Sequence, residues 1–322
     1  MLLAPLLLAL ASGANGAGAS TTPADAAAVT RASQDEDRRE RSLARLNALR
    51  RAAGVAPVTR SDPLTQSASR HAAYLSEHGF HSAPGFHAEN PALSDFTGAD
   101  PFVRMRAAGY DMAYATEVIG DIGSASTDSD CVDGLMHTIY HAALLLGRVT
   151  EAGFGYGTGA AAGSCTIDLG TPLAASPARV SQAGGLVRYP WPGMVISSGS
   201  FRPESENPRP LFEFLPDSPT GAPVMVGLRD AAMAGQDRPA AVRIQQFELR
   251  DMAGATVPSV VLADAAITGP GVVADAALRG LFVALVPRRP LAPGRYRVIL
   301  RASLDSGQTL QPAPWLFSVA AP

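Results

Sequence analysis

The sequence predicts an α+β chain, helical in its first half and all-β in its second, and three observations carry that reading. Apolar residues recur at helical spacing in several stretches up to Leu144. Beyond residue 188 the period changes to strict alternation, with short apolar runs between Pro and Gly turns. All six histidines, His71, His78, His81, His87, His137 and His141, fall in the first half. Histidine moves protons near neutral pH and binds transition metals, so any chemistry is expected there. A length of 322 residues suits two domains.

The chain opens MLLAPLLLALASGANGAGAS. Leu2 to Ala11 is a short apolar core followed by small residues suited to cleavage. Residues 1–18 therefore predict an export signal, although no Lys or Arg stands near Met1. The alternative is an apolar helix that stays attached. The stretch is too short to span a bilayer, so no transmembrane anchor is expected in the mature chain. The predicted location is secreted, extracellular or periplasmic. No Cys follows the signal, so a lipid-modified terminus is not indicated. Residues 19–37, rich in Ala, Thr and Ser, predict a flexible spacer.

A first helix is expected from near Arg38, with Leu43, Leu46, Leu49 and Ala53 on one face and Gly54 as its stop. Asp62-Pro63-Leu64 opens a second, carrying Leu64, Ala68, His71, Ala72 and Leu75 and ending near Gly79. Asp100-Pro101 starts a third, closed by Gly109. After Ser129 the stripe Val132, Leu135, Met136, Ile139, Tyr140, Ala143 and Leu144 predicts one continuous helix. His137 and His141 fall about 140° and 180° from Val132 on its wheel, away from the apolar face. His71, His78 and His81 are expected on the solvated surface. Residues 153–168 suggest a glycine-rich hairpin. The first domain thus covers 38–170, and 171–188 is a Pro-, Ala-, Ser- and Gly-rich linker expected to separate two independently folding units.

In residues 189–322, Tyr296, Val298 and Leu300 alternate with Arg295, Arg297 and Arg301 as a half-buried strand. Val242 and Ile244 alternate, and Phe247 and Leu249 resume one residue out of phase, which predicts a bulge at Gln245-Gln246. Leu281 to Val286 and Trp315 to Val319 read as further strands. This pattern predicts an all-β, immunoglobulin-like sandwich.

The charge balance is 26 Lys and Arg against 29 Asp and Glu. No basic stripe emerges from it, and nucleic-acid binding is set aside. Two cysteines, Cys131 and Cys165, favour a disulfide in an exported chain. Two buried thiols, or a nucleophilic Cys beside a His, stay open. Other catalytic patterns fail. His137-Thr138-Ile139-Tyr140-His141 has zincin spacing but Thr138 where the catalytic Glu belongs. There is no G-x-S-x-G and no Walker A loop.

Residues 43–157 resemble the CAP superfamily (cysteine-rich secretory, antigen 5 and pathogenesis-related 1 proteins) in its bacterial form. The matching text begins with Leu46-Asn47-Ala48-Leu49-Arg50-Arg51-Ala52-Ala53-Gly54 and Asp62-Pro63-Leu64, then Ala68 to Leu75. It continues with Phe96-Thr97-Gly98-Ala99-Asp100-Pro101-Phe102, Arg104, Ala108-Gly109-Tyr110 and Glu117, and ends with Ile139-Tyr140-His141 and Glu151-Ala152-Gly153-Phe154-Gly155. The resemblance implies a CAP-type α-β-α sandwich with a cleft lined by two histidines and acidic residues. By position these are His87, Glu117 and His141, with Glu89 as a stand-in for the family's second glutamate. Val118 stands where Asn is usual, Leu135 where Trp is common, and Ala142 where Arg often follows the second histidine. The second half, with Tyr189-Pro190, Glu204-Ser205-Glu206-Asn207-Pro208 and Pro290-Leu291-Ala292-Pro293-Gly294, is similar to β-sandwich modules appended to some bacterial CAP proteins.

Two imidazoles, His87 and His141, with a carboxylate would suit Zn²⁺ or another divalent cation with an open coordination position. The leading expectation is a cleft that binds a small molecule, metal, lipid or cell-envelope component. A metal-dependent hydrolase of peptides or cell wall is the second reading, and a non-catalytic surface protein the third.

Overall fold

The computed structural model describes residues 23–83, 85–122, 128–159, 163–174, 185–201, 219–232, 241–278, 280 and 282–321. The expected export signal lies outside them, as do residues 175–184 of the expected linker. Two compact units are distinguished, Met1–Asp37 and Arg38–Pro322. Helix α1 (Pro23–Ala52) begins well before Arg38, so Pro23 to Asp37, expected as flexible spacer, is helical. Acidic and basic residues at close spacing from Asp35 to Arg41 leave nothing in this stretch to stop a helix.

The second unit continues with β1 (Thr59–Arg60), α2 (Asp62–His78), α3 (Pro101–Ala107) and β2 (Met112–Asp121), then α4 (Asp128–Met136), α5 (Tyr140–Leu145), β3 (Glu151–Thr158) and β4 (Gly163–Pro172). The helix ends follow local chemistry. Proline occupies the first turn of α2 and of α3, where its missing N–H has no intrahelical partner to lose. The Asp100 side chain caps α3 by accepting from the Val103 N–H at 2.9 Å. Gly79 closes α2 at a φ of 80°, a conformation that disfavours a side chain.

The four strands form one sheet in the order β1-β3-β4-β2, antiparallel except for the β1–β3 pair. Residues of α1, α4 and α5 cover one face, packed on Val118, Phe154, Ile167 and Leu169. Helices α2 and α3 cover the other, where Leu64, Met105, Tyr110 and Ala115 cluster beside Tyr74, Leu75 and Ile119. This is the expected α-β-α layering. The α2 layer sits unusually close, because Gly153, Gly155 and Gly157 of β3 present bare backbone to it. A Cβ on Gly155 would lie 2.1 Å from the Ala68 carbonyl oxygen.

The single helix expected after Ser129 is two helices. The Leu135 carbonyl, which a continuing helix would offer to the Ile139 N–H, accepts instead from the Thr138 N–H at 3.2 Å and the Thr138 hydroxyl at 2.7 Å. A side chain that satisfies the carbonyl locally ends the helix there.

The later part is β5 (Val187–Tyr189), β6 (Val195–Ile196), β7 (Ser200–Phe201), β8 (Thr220–Gly221) and β9 (Val224–Gly227), a short α6 (Arg229–Ala232), β10 (Val242–Asp251), β11 (Ser259–Ala263), β12 (Ile267–Thr268), β13 (Val272–Ala274), β14 (Phe282–Pro287), β15 (Gly294–Leu304), β16 (Thr309–Leu310) and β17 (Trp315–Val319). One sheet runs β12-β10-β15-β17-β6 with β16 paired to β15, and another β13-β11-β14-β9-β5. Side chains of both sheets, among them Val226, Leu249, Val283, Leu285, Val298 and Phe317, form the core between them. The expected bulge is present as a register shift between Ile244 and Gln246.

Strand β14 is buried on both faces. Val283 and Leu285 face the core between the sheets, whereas Phe282, Ala284 and Val286 join the cluster that contains α1, α4 and α5. The Tyr140 hydroxyl at the head of α5 donates to Asp275 at 2.8 Å, and the Arg188 N–H donates to the Ala53 carbonyl at 3.1 Å. The helical part and the β part thus share one apolar core. Among the described residues no helix is long and apolar enough to cross a membrane.

Candidate functional site

Strand β2 places Glu117 on the sheet face covered by α2 and α3, alternating with Val118 on the other face. Its carboxylate is fully enclosed. Both oxygens accept from Arg104 Nη2 of α3 at 2.9 Å, and Oε1 also accepts from His87 Nδ1 at 2.9 Å. Burial pushes the pKa of Glu117 up, but the His87 hydrogen bond and the charges of His71 and Arg104 outweigh it and hold the group at about 2. Glu117 is therefore an anion at neutral pH, and it fixes His87 with the proton on Nδ1. The His87 side chain is 39% exposed.

His141 stands in the first turn of α5. Because the Thr138 hydroxyl already donates to Leu135, its oxygen accepts from His141 Nδ1 at 3.2 Å. Nε2 is then the acceptor nitrogen. Burial, and then the neighbouring His87, lower the His141 pKa to about 4, so this ring stays neutral. Helix α5 packs on the opposite sheet face, but β2 is the outer strand, and His141 comes within electrostatic reach of His87. The structure thus hydrogen-bonds His87, from a loop, to Glu117 of a strand, and sets His141 of a helix within electrostatic reach of His87.

Glu89 is buried, its side chain fully enclosed. It accepts from the Thr97 hydroxyl at 3.0 Å, the Gly98 N–H at 3.2 Å and His71 Nδ1 at 2.9 Å. Burial raises its pKa, while the bonds from His71 and Thr97 and the Arg104 charge bring it below the usual carboxylate range. His71 corrects the sequence expectation outright. It is fully buried, not solvated, and its Nε2 donates to the Phe86 carbonyl at 2.9 Å. The signal was present, since His71 falls on the same α2 face as Leu64, Ala68, Ala72 and Leu75. His78 bonds the Ser94 carbonyl at 3.0 Å, and His81 packs on Phe86, both outside the cluster.

The sequence reading gave no role to two further residues. Arg104 ties the site together, donating to Glu117, to the His87 carbonyl at 3.0 Å and to the Gly98 carbonyl at 3.3 Å. Asp168 of β4 stands directly opposite Glu117 in the strand register and is fully buried. Its alternation with Cys165, Ile167 and Leu169 reads as a solvent-facing position, and only the packing of α2 covers it.

Residues 43–169 match a family model described as CAP, the cysteine-rich secretory protein family. Over these residues the chain is similar to that family. No curated protein matches the chain. Within the matched residues Cys131 of α4 and Cys165 of β4 are joined in a disulfide, which leaves no free cysteine among the described residues. The metal expectation does not fit the cleft as a three-ligand site. Glu117 has both oxygens committed to Arg104 and His87, and among the described residues no group of three His, Cys, Asp or Glu side chains is disposed to hold an ion. His87 and the neutral His141 stand instead beside a buried, charge-compensated cluster.

Proposed function

We propose that the chain is an exported bacterial CAP-domain protein whose cleft binds an amphipathic cell-envelope ligand through His87 and His141. The observation that carries this reading is the pair of imidazoles whose Nδ1 atoms are each held, by Glu117 and by Thr138. Rings fixed in this way suit the polar groups of a headgroup. The apolar part has a counterpart in Phe96, Phe102 and Val103, which are exposed on the loop and helix that also carry Thr97 and Arg104. Exposed apolar side chains grouped beside a polar site mark a binding surface more often than isolated ones do. On this reading the second half is an immunoglobulin-like sandwich that supports the CAP domain.

The test is binding of the purified full chain to an envelope lipid extract and, separately, to Zn²⁺ alone. Lipid binding should fall at least tenfold in His87→Ala, in His141→Ala and in Phe96→Ser/Phe102→Ser. Retention of lipid binding in both histidine variants would overturn the proposal. Tight Zn²⁺ binding lost in the same variants would favour the metal-dependent hydrolase instead.

A further inference from the structure

Five ionisable side chains are packed out of solvent beneath His87: His71, Glu89, Arg104, Glu117 and Asp168. Hydrogen bonds decide most of their charges. Glu89 accepts from His71, Thr97 and Gly98, and Glu117 accepts from Arg104 and His87, so both are carboxylates. Arg104 is a cation at any accessible pH. His71 has Nδ1 at 2.9 Å from Glu89 Oε1 and Nε2 at 2.9 Å from the Phe86 carbonyl oxygen. Neither partner can donate, so both ring nitrogens must carry hydrogen and the ring is an imidazolium. Two cations then balance two anions.

A fifth charge would have no counterpart. Asp168 faces Glu117 across the β2–β4 ladder, fully buried, with Ser67 of α2 as its other polar neighbour. Neither of its oxygens is met in full hydrogen-bond geometry. Ionised, it would place two carboxylates side by side in a medium of low dielectric. Protonated, it removes that repulsion and offers Glu117 a donor. Burial and the Glu117 charge raise its pKa well above the ordinary range, against weaker opposition from Ser67 and Arg104.

We propose that His71 is a buried imidazolium and Asp168 a neutral carboxylic acid, and that the two are positioning residues which hold Glu117 as the one carboxylate orienting His87. The assignment concerns the floor of the cleft and holds whatever ligand binds above it. It predicts which groups carry protons in the intact protein, without any ligand.

The experiment is nitrogen-15 NMR of the histidine rings together with infrared spectroscopy of the full chain near neutral pH. His71 should show both ring nitrogens protonated and slow to exchange. The infrared spectrum should contain a protonated carboxylic acid band that Asp168→Asn removes. A single-tautomer His71, or an unchanged band in Asp168→Asn, overturns the corresponding charge state. For positioning, the hydrogen-bonded His87 Nδ1 proton resonance is the readout. It should survive in Asp168→Asn, which stays neutral and isosteric, and be lost in His71→Gln, which removes the cation but keeps a donor to Glu89. Should His71→Gln fail to fold, Glu89→Gln removes the partner of the same cation and should likewise abolish the resonance. Its persistence in either variant overturns the positioning role.

Discussion

Arg50 shows at the residue scale how this chain treats a buried charge. It is fully enclosed, and its guanidinium donates to the main-chain carbonyls of Ala56, Leu145, Gly147 and Val149. Leu145 ends α5, so the charge sits at the negative pole of a helix whose last carbonyls need donors. Burial lowers its pKa to about 10, which still leaves it charged at neutral pH. Arg50→Ala should destabilise by about 3 kcal/mol or more in chemical denaturation, because several buried acceptors lose their partner at once. Arg50→Lys should recover little, since a point charge cannot span the same fork. His141 supplies a pH test. Its pKa of about 4 lies below the ordinary 6.5, so the unfolded chain binds a proton that the folded one refuses. Stability should be full above about 6.5 and fall as pH drops toward 4. Thermal melts across that window should show the slope reduced in His141→Gln, and an unchanged slope would count against the buried neutral ring.

At the scale of elements, the seat of α2 on β3 depends on glycine at alternate positions. Ideal Cβ atoms at Gly153, Gly155 and Gly157 would fall 2.1–2.2 Å from backbone or side-chain atoms of α2. Since α2 carries His71, lifting it would also disturb the floor of the cleft. Gly155→Ala should lower stability by about 1–3 kcal/mol or prevent folding, as overpacking against rigid backbone does. Gly134 in α4 has nothing within 4 Å of its ideal Cβ. There the same substitution should be neutral or stabilise by about 0.4–1 kcal/mol, by restricting the unfolded chain. Equal melting temperatures for the two variants would show that close approach is not what selects glycine at position 155.

For the whole molecule, the informative feature is the core shared by the CAP-like part and the later β strands. Met225, Val260, Leu262, Phe282, Ala284 and Val286 belong to the same cluster as Leu46, Val132 and Ile139. The Tyr140–Asp275 hydrogen bond sits within this interface, one residue from His141. Cutting the chain within residues 175–184 should therefore yield two fragments that stay associated on gel filtration. Asp275→Ala should cost about 1–3 kcal/mol, since it removes the carboxylate that accepts from the Tyr140 hydroxyl and the Ala277 N–H. The loss should appear as a downward shift of one cooperative transition. Two separate transitions would instead establish the independent units expected from the composition of the linker.

The sequence by itself determined much of the local structure. Pro63 and Asp100 mark helix starts, Gly79 and Gly109 helix ends, and the phase slip around Gln245 marks a bulge, because each is set by neighbours within a few residues. His87, Glu117 and His141 were legible as a group only through their likeness to a family, since nothing in their spacing brings them together. What tertiary structure alone decided was which polar residues are buried and what they face. Asp168 sits in a pattern compatible with either solvent or core, His71 lies on the apolar face of α2, and the packing of α2 against the sheet settles what each of them meets. The helix break at Thr138 depends on a hydroxyl competing for one carbonyl, which the apolar period does not register. The joined core escaped because the continuous apolar run of β14 signals a strand covered on both faces but not what covers it. Charge compensation beneath His87 is likewise a property of contacts between residues far apart in sequence, and periodicity carries no information about those.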